Sequence, residues 1–310
     1  MMTMVSNPYH IPVLLQACVD SLQINPNGIY VDLTFGGGGH SKEILKHLSK
    51  DGKLISFDQD ADAAKNVPDD NRLVFIPQNF RHLKNYLRLN GINQVDGILG
   101  DLGVSSHQFD VAERGFSIRF DAELDMRMNQ NSSLSAYQVV NDYDEKQLTF
   151  IFRTYGELDN AFKLAKAICE ARSAEPIKSI NEFKQAIKSC TPKFEENRYL
   201  AKVFQAIRME VNQELEALKE CLTQCVEVLK PGGRLVVMSY HSLEDRLVKN
   251  IMKTGNIEGV EEKDIIFGTS KKVFKLLGSK PIVPTEEEIK NNSRARSAKL
   301  RVAERVGPNK

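Results

Sequence analysis

No run of eighteen apolar residues occurs in this 310-residue chain, so nothing in it has the length of a helix that spans a bilayer. The opening stretch "MMTMVSNPYHIPVLL" has no basic segment ahead of an apolar one. Neither export nor membrane insertion is expected, and the cytoplasm is the expected location. Cysteine is scarce: Cys18, Cys169, Cys190, Cys221 and Cys225, with no CxxC pair. Cys221 and Cys225 stand four apart on a predicted helix without nearby ligand partners, which argues against structural zinc. The odd count predicts reduced thiols. A net charge of only +1 sets up no global field for a nucleic acid, so any such surface must be local. Internal repeats and low-complexity tracts are absent.

What is present is ordinary for a soluble globular protein: 41% hydrophobic and 27% charged residues. The length suits one large domain or one domain carrying a smaller one. "IYVDLTF" (29–35), "KLISFD" (53–58), "RLVFIPQ" (72–78) and "VDGILGD" (95–101) read as short buried strands. "HSKEILKHLSKDG", "DADAAKNV" and "FRHLKNYLRLNG" read as the helices or helical turns between them. This alternation predicts an α/β fold with a parallel sheet. From about Ser106 to Asn212 only helical patterns and loops follow. The strand "RLVVMSY" (234–240) and the helix "SLEDRLVKNIMK" then resume the alternation, and "AKLRVAERV" near the end reads as a final strand. The expected organisation is 1–108 and 213–310 as one domain, with 109–212 as a helical insertion.

"VDLTFGGGGHSKEIL" (31–45) carries four consecutive glycines between a strand and a helix. Glycine permits positive φ and lets a ligand approach the main chain, and the following helix turns its first amides toward that ligand. Asp58, about 20 residues on, ends the second strand, where a carboxylate suits a ribose diol. Together these favour an adenosine-containing cofactor over a bare tight turn. Two cofactors remain at this point. A dinucleotide fingerprint would place Gly or Ala where this chain has Ser41; S-adenosylmethionine has no pyrophosphate and tolerates looser glycine patterns.

"GILGDLGVSSHQFD" (97–110) is the second informative stretch. Asp101 falls at a strand's carboxyl end, where open α/β sheets bind ligands. Gly103 keeps the next loop close, and Ser105, Ser106 and Gln108 are polar. Methyltransferases acting on exocyclic amines place an acid or amide at such a position. An acceptor there polarises an NH2 group whose lone pair is otherwise delocalised into the ring. An N-cap or turn role is the competing reading for Asp101 and the preferred one for Ser105 and Ser106 individually.

The blocks "YHIPVLL", "YVDLTFGGGGHS", "DLGVSSHQFDVAERGFSIRFDAELDMRM", "VFQAIRMEVNQEL", "GGRLVVMSYHSLEDRLVK" and "SRARSAKLRVAE", spread over nearly the whole chain, resemble the RsmH (MraW) family. The resemblance implies a class I (Rossmann-like) S-adenosylmethionine-dependent methyltransferase with an inserted helical, substrate-recognition domain. The implied reaction modifies cytosine N4 in bacterial small-subunit (16S) ribosomal RNA. Implied cofactor contacts are Gly38, Gly39, His40, Asp58, Phe80, Asp101 and Gln108. An aromatic such as Phe80 after the third strand can cover adenine, and His40 can meet the aminoacyl carboxylate or simply cap its helix.

The target cytosine must be single-stranded or splayed. Arg114, Arg119, Arg127 and Arg208, in or beside the insertion, and Arg294, Arg296, Lys299 and Arg301, in the tail, are candidate RNA contacts. A solvated or internally paired cation is the competing reading for each, including an Asp125–Arg127 pair. Asp101, Ser105, Tyr240 and His241 are the candidate catalytic residues. Asp101 would hold the amino group or the cofactor, Ser105 and Tyr240 would place the base, and His241 would accept a proton or cap the helix after it. No metal is expected, since a sulfonium is already an activated leaving group. The expected partner is ribosomal RNA within an assembled or nearly assembled small subunit, with a homodimer left open. The competing functions are an amino methyltransferase on another nucleic acid such as DNA, a non-catalytic ribosome-assembly factor, and a nicotinamide oxidoreductase.

Overall fold

The computed structural model describes residues 12–261 and 272–307; the first three residues of the "YHIPVLL" block, 9–11, lie outside the described residues. In chain order, α1 (Leu15–Leu22) precedes β1 (Ile29–Asp32), α2 (Gly39–His47), β2 (Lys53–Phe57), β3 (Leu73–Ile76), α3 (Leu83–Leu89) and β4 (Val95–Asp101). Six helices follow: α4 (Ser106–Asp110), α5 (Ala136–Asp142), α6 (Glu145–Thr154), α7 (Ala161–Ala174), α8 (Ile180–Ala186) and α9 (Glu196–Asn212). The chain then runs through α10 (Glu214–Val228), β5 (Leu229–Ser239), α11 (Ser242–Thr254), β6 (Phe274–Leu276), α12 (Glu286–Asn291) and β7 (Lys299–Arg305).

The strands form one seven-stranded sheet in the order β3-β2-β1-β4-β5-β7-β6. β1 to β5 pair in parallel, and β7 runs antiparallel to both β5 and β6. Successive side chains of a strand point to opposite faces, so a sheet covered on both sides needs apolar residues at every position. The central strands meet that need with neighbouring pairs. Val31, Ile55, Ile98 and Val237 join one cluster with Leu87, Leu222 and Ile251 of α3, α10 and α11. Tyr30, Leu54, Leu99 and Val236 join another with Cys18, Leu22 and Ile44 of α1 and α2.

The helical coverage and the sheet belong to a compact unit made of Met1–Gly103 and Leu215–Lys310; Val104–Glu214 forms a second compact unit. The second has its own core, in which Val139, Phe152, Leu164, Phe183, Val203 and Ile207 are fully buried. Four of its helices start with reciprocal side-chain caps, on Ser105, Ser135, Asp144 and Ser179. Such boxes satisfy amide groups that a helix cannot pair internally.

Some elements differ from the sequence reading. β1 stops at Asp32 rather than residue 35, and the Asp32 carboxylate accepts from the Thr34 amide at 3.1 Å in the turn that follows. "DADAAKNV" makes a 3-10 helix, Ala61–Asn66, capped by Asp60. Helix α1 and the three-residue strand β6 were not anticipated: α1 is short, and β6 is defined by its pairing with β7.

Candidate active site

The glycine stretch is shaped by backbone demands before any ligand is considered. Gly36 and Gly38 have φ of 53° and 76°, a region that costs a side-chain-bearing residue energy. Gly38 is the N-cap of α2. A Cβ on Gly39 would lie 2.2 Å from Cγ of Pro12, so that glycine makes room for the chain's own proline ring. Gly39→Ala is therefore expected to destabilise the fold by roughly 1–3 kcal/mol through overpacking. Thermal unfolding should show a drop of several degrees; an unchanged midpoint would mean that Pro12 moves aside at no cost.

Three acids stand at the ends of three neighbouring strands. Asp32 ends β1 and is 1% exposed. Ser41 of α2 donates its hydroxyl to Asp32 at 2.6 Å and lies 2.8 Å from the Ser56 hydroxyl, which then donates in turn. This chain fixes the start of α2 beneath the strand ends and explains why a serine occupies position 41. Asp58 follows β2 and accepts from the amides of Gly36 at 2.7 Å and Asp60 at 2.9 Å, which ties the glycine turn to the second strand. Each carboxylate oxygen keeps a further lone pair. Asp101 ends β4; its amide donates to the Thr34 hydroxyl at 2.8 Å.

These acids are short of positive charge. Burial pushes Asp58 up to about 6, even though the Asp60 and Gly36 amides pull it down. Asp101 is likewise raised to about 6, chiefly by desolvation, with Asp32 and Glu244 adding to the rise. His40 and the Tyr240 hydroxyl work the other way. Asp32 is raised by burial, and its charge in turn adds to the rise of Asp58 and Asp101. His40, 5% exposed, places Nδ1 3.9 Å from Asp101. Its Nε2 is buried and has no hydrogen-bond partner among the described residues.

The fifth strand supplies the other side of Asp101. Tyr240, one residue past β5, donates its hydroxyl to Asp101 at 2.9 Å. Burial and the carboxylate together hold that phenol well above its ordinary pKa. The Tyr240 amide donates to Glu244 at 3.1 Å, and Glu244 is 3% exposed. His241 is the N-cap of α11: its Nδ1 accepts from the Glu244 amide at 3.4 Å, and its Nε2 lies 3.2 Å from a Glu244 oxygen. The capping reading of His241 is the one this geometry supplies.

Other candidates are accounted for within their own units. Ser105 and Gln108 form a reciprocal capping box at the start of α4, and Phe80 opens the 3-10 turn Phe80–His82, packed against the core. Three arginines expected at an RNA surface hold partners within the chain. Arg114 is 5% exposed and donates to the carbonyls of Arg127 and Met128. Arg127 forks onto Asp125 and reaches the Ser132 carbonyl. Arg208 forks onto Glu214 at 2.7 and 2.9 Å. Arg301 forks onto Asp245, whereas Arg296 is exposed. Fixed forks of this kind are the strong form of an ion pair, and each forms because the carboxylate is brought to the guanidinium.

Asp32, Thr34, Ser41 and Glu244 were not selected from the sequence as site residues. Asp32 alone left a signal, an acid closing an otherwise apolar strand ahead of the glycines.

Acids at the carboxyl ends of β1, β2 and β4, below a glycine turn and on a 3-2-1-4-5-7-6 sheet with an antiparallel seventh strand, define a class I methyltransferase fold. The model of the MraW methylase family matches residues 7–306, and the chain belongs to that family. It is similar to a Flavobacterium johnsoniae protein named ribosomal RNA small subunit methyltransferase H, 59% identical over 298 residues, covering 96% of this chain and 98% of that one. Proteins of the same name from Bacteroides thetaiotaomicron, at 57% identity over 96% of this chain and 97% of the other, and Christiangramia forsetii, at 56% over 98% and 100%, are similar along their whole length.

Proposed function

We propose that this protein transfers a methyl group from S-adenosylmethionine to the exocyclic N4 of a cytidine in small-subunit ribosomal RNA. The observation that carries the reading is the row of desolvated acids, Asp32, Asp58 and Asp101, with two of them raised to about 6. Such a site gains most from a ligand that brings positive charge. S-adenosylmethionine fits, with a sulfonium, an ammonium and a ribose diol. A dinucleotide's pyrophosphate would meet the same acids as like charge, which counts against the nicotinamide reading.

When bound, the cofactor supplies an activated methyl on a sulfonium. Asp58 would hold the ribose hydroxyls with its remaining lone pairs, and the orphaned Nε2 of His40 would offer a contact to the aminoacyl carboxylate. Asp101, held in place by Tyr240, accepts a proton of the target NH2 group and raises electron density on its nitrogen. Tyr240 fixes the orientation of that carboxylate and bounds the space for the base. His241 positions α11. The helical unit, Val104–Glu214, is assigned substrate recognition. The substrate form in this reading is an assembled or nearly assembled subunit, which places the protein in the cytoplasm.

Mass spectrometry of small-subunit RNA from cells lacking the protein tests this directly. One N4-methylated cytidine should disappear and return on complementation. In vitro, purified protein should methylate small subunits from those cells in preference to naked ribosomal RNA or DNA. Unchanged methylcytidine in the deletion would refute the assignment.

A further inference from the structure

A depression of about 200 Å³ opens beside Tyr240, with His241, Ser242, Arg296, Ser297 and Lys299 in its wall. It is distinct from the acid row, yet shares Tyr240 with it, and Tyr240 donates to Asp101 at 2.9 Å. Its charge is the reverse of the acid row's. Lys299 begins β7, in register with Ser239 at the end of β5, so strand pairing fixes its place next to Tyr240. Arg296 is exposed and has no ion-pair partner among the described residues. Of the nearby acids, Glu244 is buried and faces Tyr240 and His241. Asp245 is gripped by the Arg301 fork at 2.6 and 3.1 Å, and Lys299 stands looser, at 3.6 Å with its side chain 45% exposed. Arg296, Lys299 and Ser297 thus line a small concave space, with Lys299 only loosely held by an acid that Arg301 already grips. That donor set matches a phosphodiester, which accepts charge-assisted bonds from Arg, Lys and hydroxyl groups.

We propose that this depression is a phosphate subsite, taking a backbone phosphate of the single-stranded RNA next to the nucleotide being methylated. It rests on the reading above for what occupies Tyr240's other side. Phosphate contacts fix register without reading sequence. Anchoring the backbone here would hold the flanking strand while the base turns toward Asp101, which is how a flexible substrate is brought to one geometry.

Two measurements separate this subsite from the reading it rests on. The first is binding of a fluorescent single-stranded oligoribonucleotide of mixed sequence to the full chain, across a salt series. Arg296→Gln and Lys299→Gln should each weaken binding about tenfold. Each should also lower the slope of log affinity against log salt, and the double variant by about one, for the single phosphate held there. Arg296→Lys should restore most of the loss. Affinity for S-adenosylhomocysteine and the unfolding midpoint should stay at wild-type values, which excludes misfolding. The second is methylation of small subunits, where the double variant should raise KM for the subunit at least tenfold. Unchanged affinity and salt slope in the variants overturn the subsite even if the wild type methylates cytidine normally. Lowered binding with a wild type inactive on subunits would keep the subsite as an RNA-phosphate site and remove the methylation reading.

Discussion

Asp101→Asn is expected to lower the rate of methyl transfer about a hundredfold while making the cofactor-free protein more stable at neutral pH. Asparagine is nearly isosteric and its oxygen still accepts the Tyr240 hydroxyl that lies 2.9 Å from Asp101, so the pocket keeps its shape. On the proposed mechanism, what disappears is a full negative charge facing the target NH2 group, and preorganised charge of this kind is worth ~10²–10³ in rate. The pH profile carries a second signature. Asp101 is raised to about 6 in the ligand-free protein and the cofactor's positive charge lowers it, so with saturating cofactor kcat/KM for the subunit should rise with pH and level off below that point. The variant should lose that limb.

Stability moves the opposite way. An acid whose folded-state pKa lies above its unfolded value binds a proton more tightly in the folded protein. Its contribution is most favourable below about pH 4 and is lost as pH rises through about 6. Removing the charge should therefore raise the apo unfolding free energy at pH 7 by up to about 2 kcal/mol, discounted for the 23% exposure of that side chain, and change it little at pH 4. Denaturant melts at the two pH values check this. A variant with kcat within twofold of wild type and the same acidic limb would remove Asp101 from the chemistry.

The second large effect is at Asp58. Asp58→Ala should weaken S-adenosylhomocysteine binding about a hundredfold in calorimetry, with a much smaller change in kcat at saturating cofactor. Two losses combine. The amides of Gly36 and Asp60 lose a charged acceptor at 2.7 and 2.9 Å, and the ribose diol loses its own. Hydrogen bonds to charged groups contribute about 1.5–3 kcal/mol each, so either loss is large. They separate with a ligand lacking both ribose hydroxyls. If the diol contact matters, the variant's loss of affinity for that analogue should be much smaller than its loss for S-adenosylhomocysteine. An equal hundredfold loss on both ligands would mean that Asp58 only braces the glycine turn.

The positions of these two acids were legible in the sequence because each closes a strand that is itself legible. "KLISFD" and "VDGILGD" are apolar runs ending in Asp, and β2 and β4 occupy them almost as written. The glycine turn was legible too, though the reason for Gly39 was not: Pro12, 27 residues earlier, takes the space. The box joining Ser105 and Gln108 has a local spacing, S-x-x-Q, that serves equally as a cap and as a polar loop beside a site. The internal pairing of Arg114 and Arg208 was not legible for the opposite reason. Arg208 is captured by Glu214 six residues on and Arg114 by carbonyls thirteen and fourteen residues on, and a charge count cannot show which way a guanidinium turns.

Strand and helix periods, turn glycines and terminal acids depend on neighbours a few residues away, so the chain's order alone determined the α/β class, the glycine turn and two of the three acids. The bond from Tyr240 to Asp101 joins residues 139 apart, and the fork from Arg301 to Asp245 joins residues 56 apart. The burial that raises Asp58 and Asp101 needs the whole sheet closed around them. Those features came only with tertiary structure, because desolvation and long-range pairing exist only once distant segments have excluded water together.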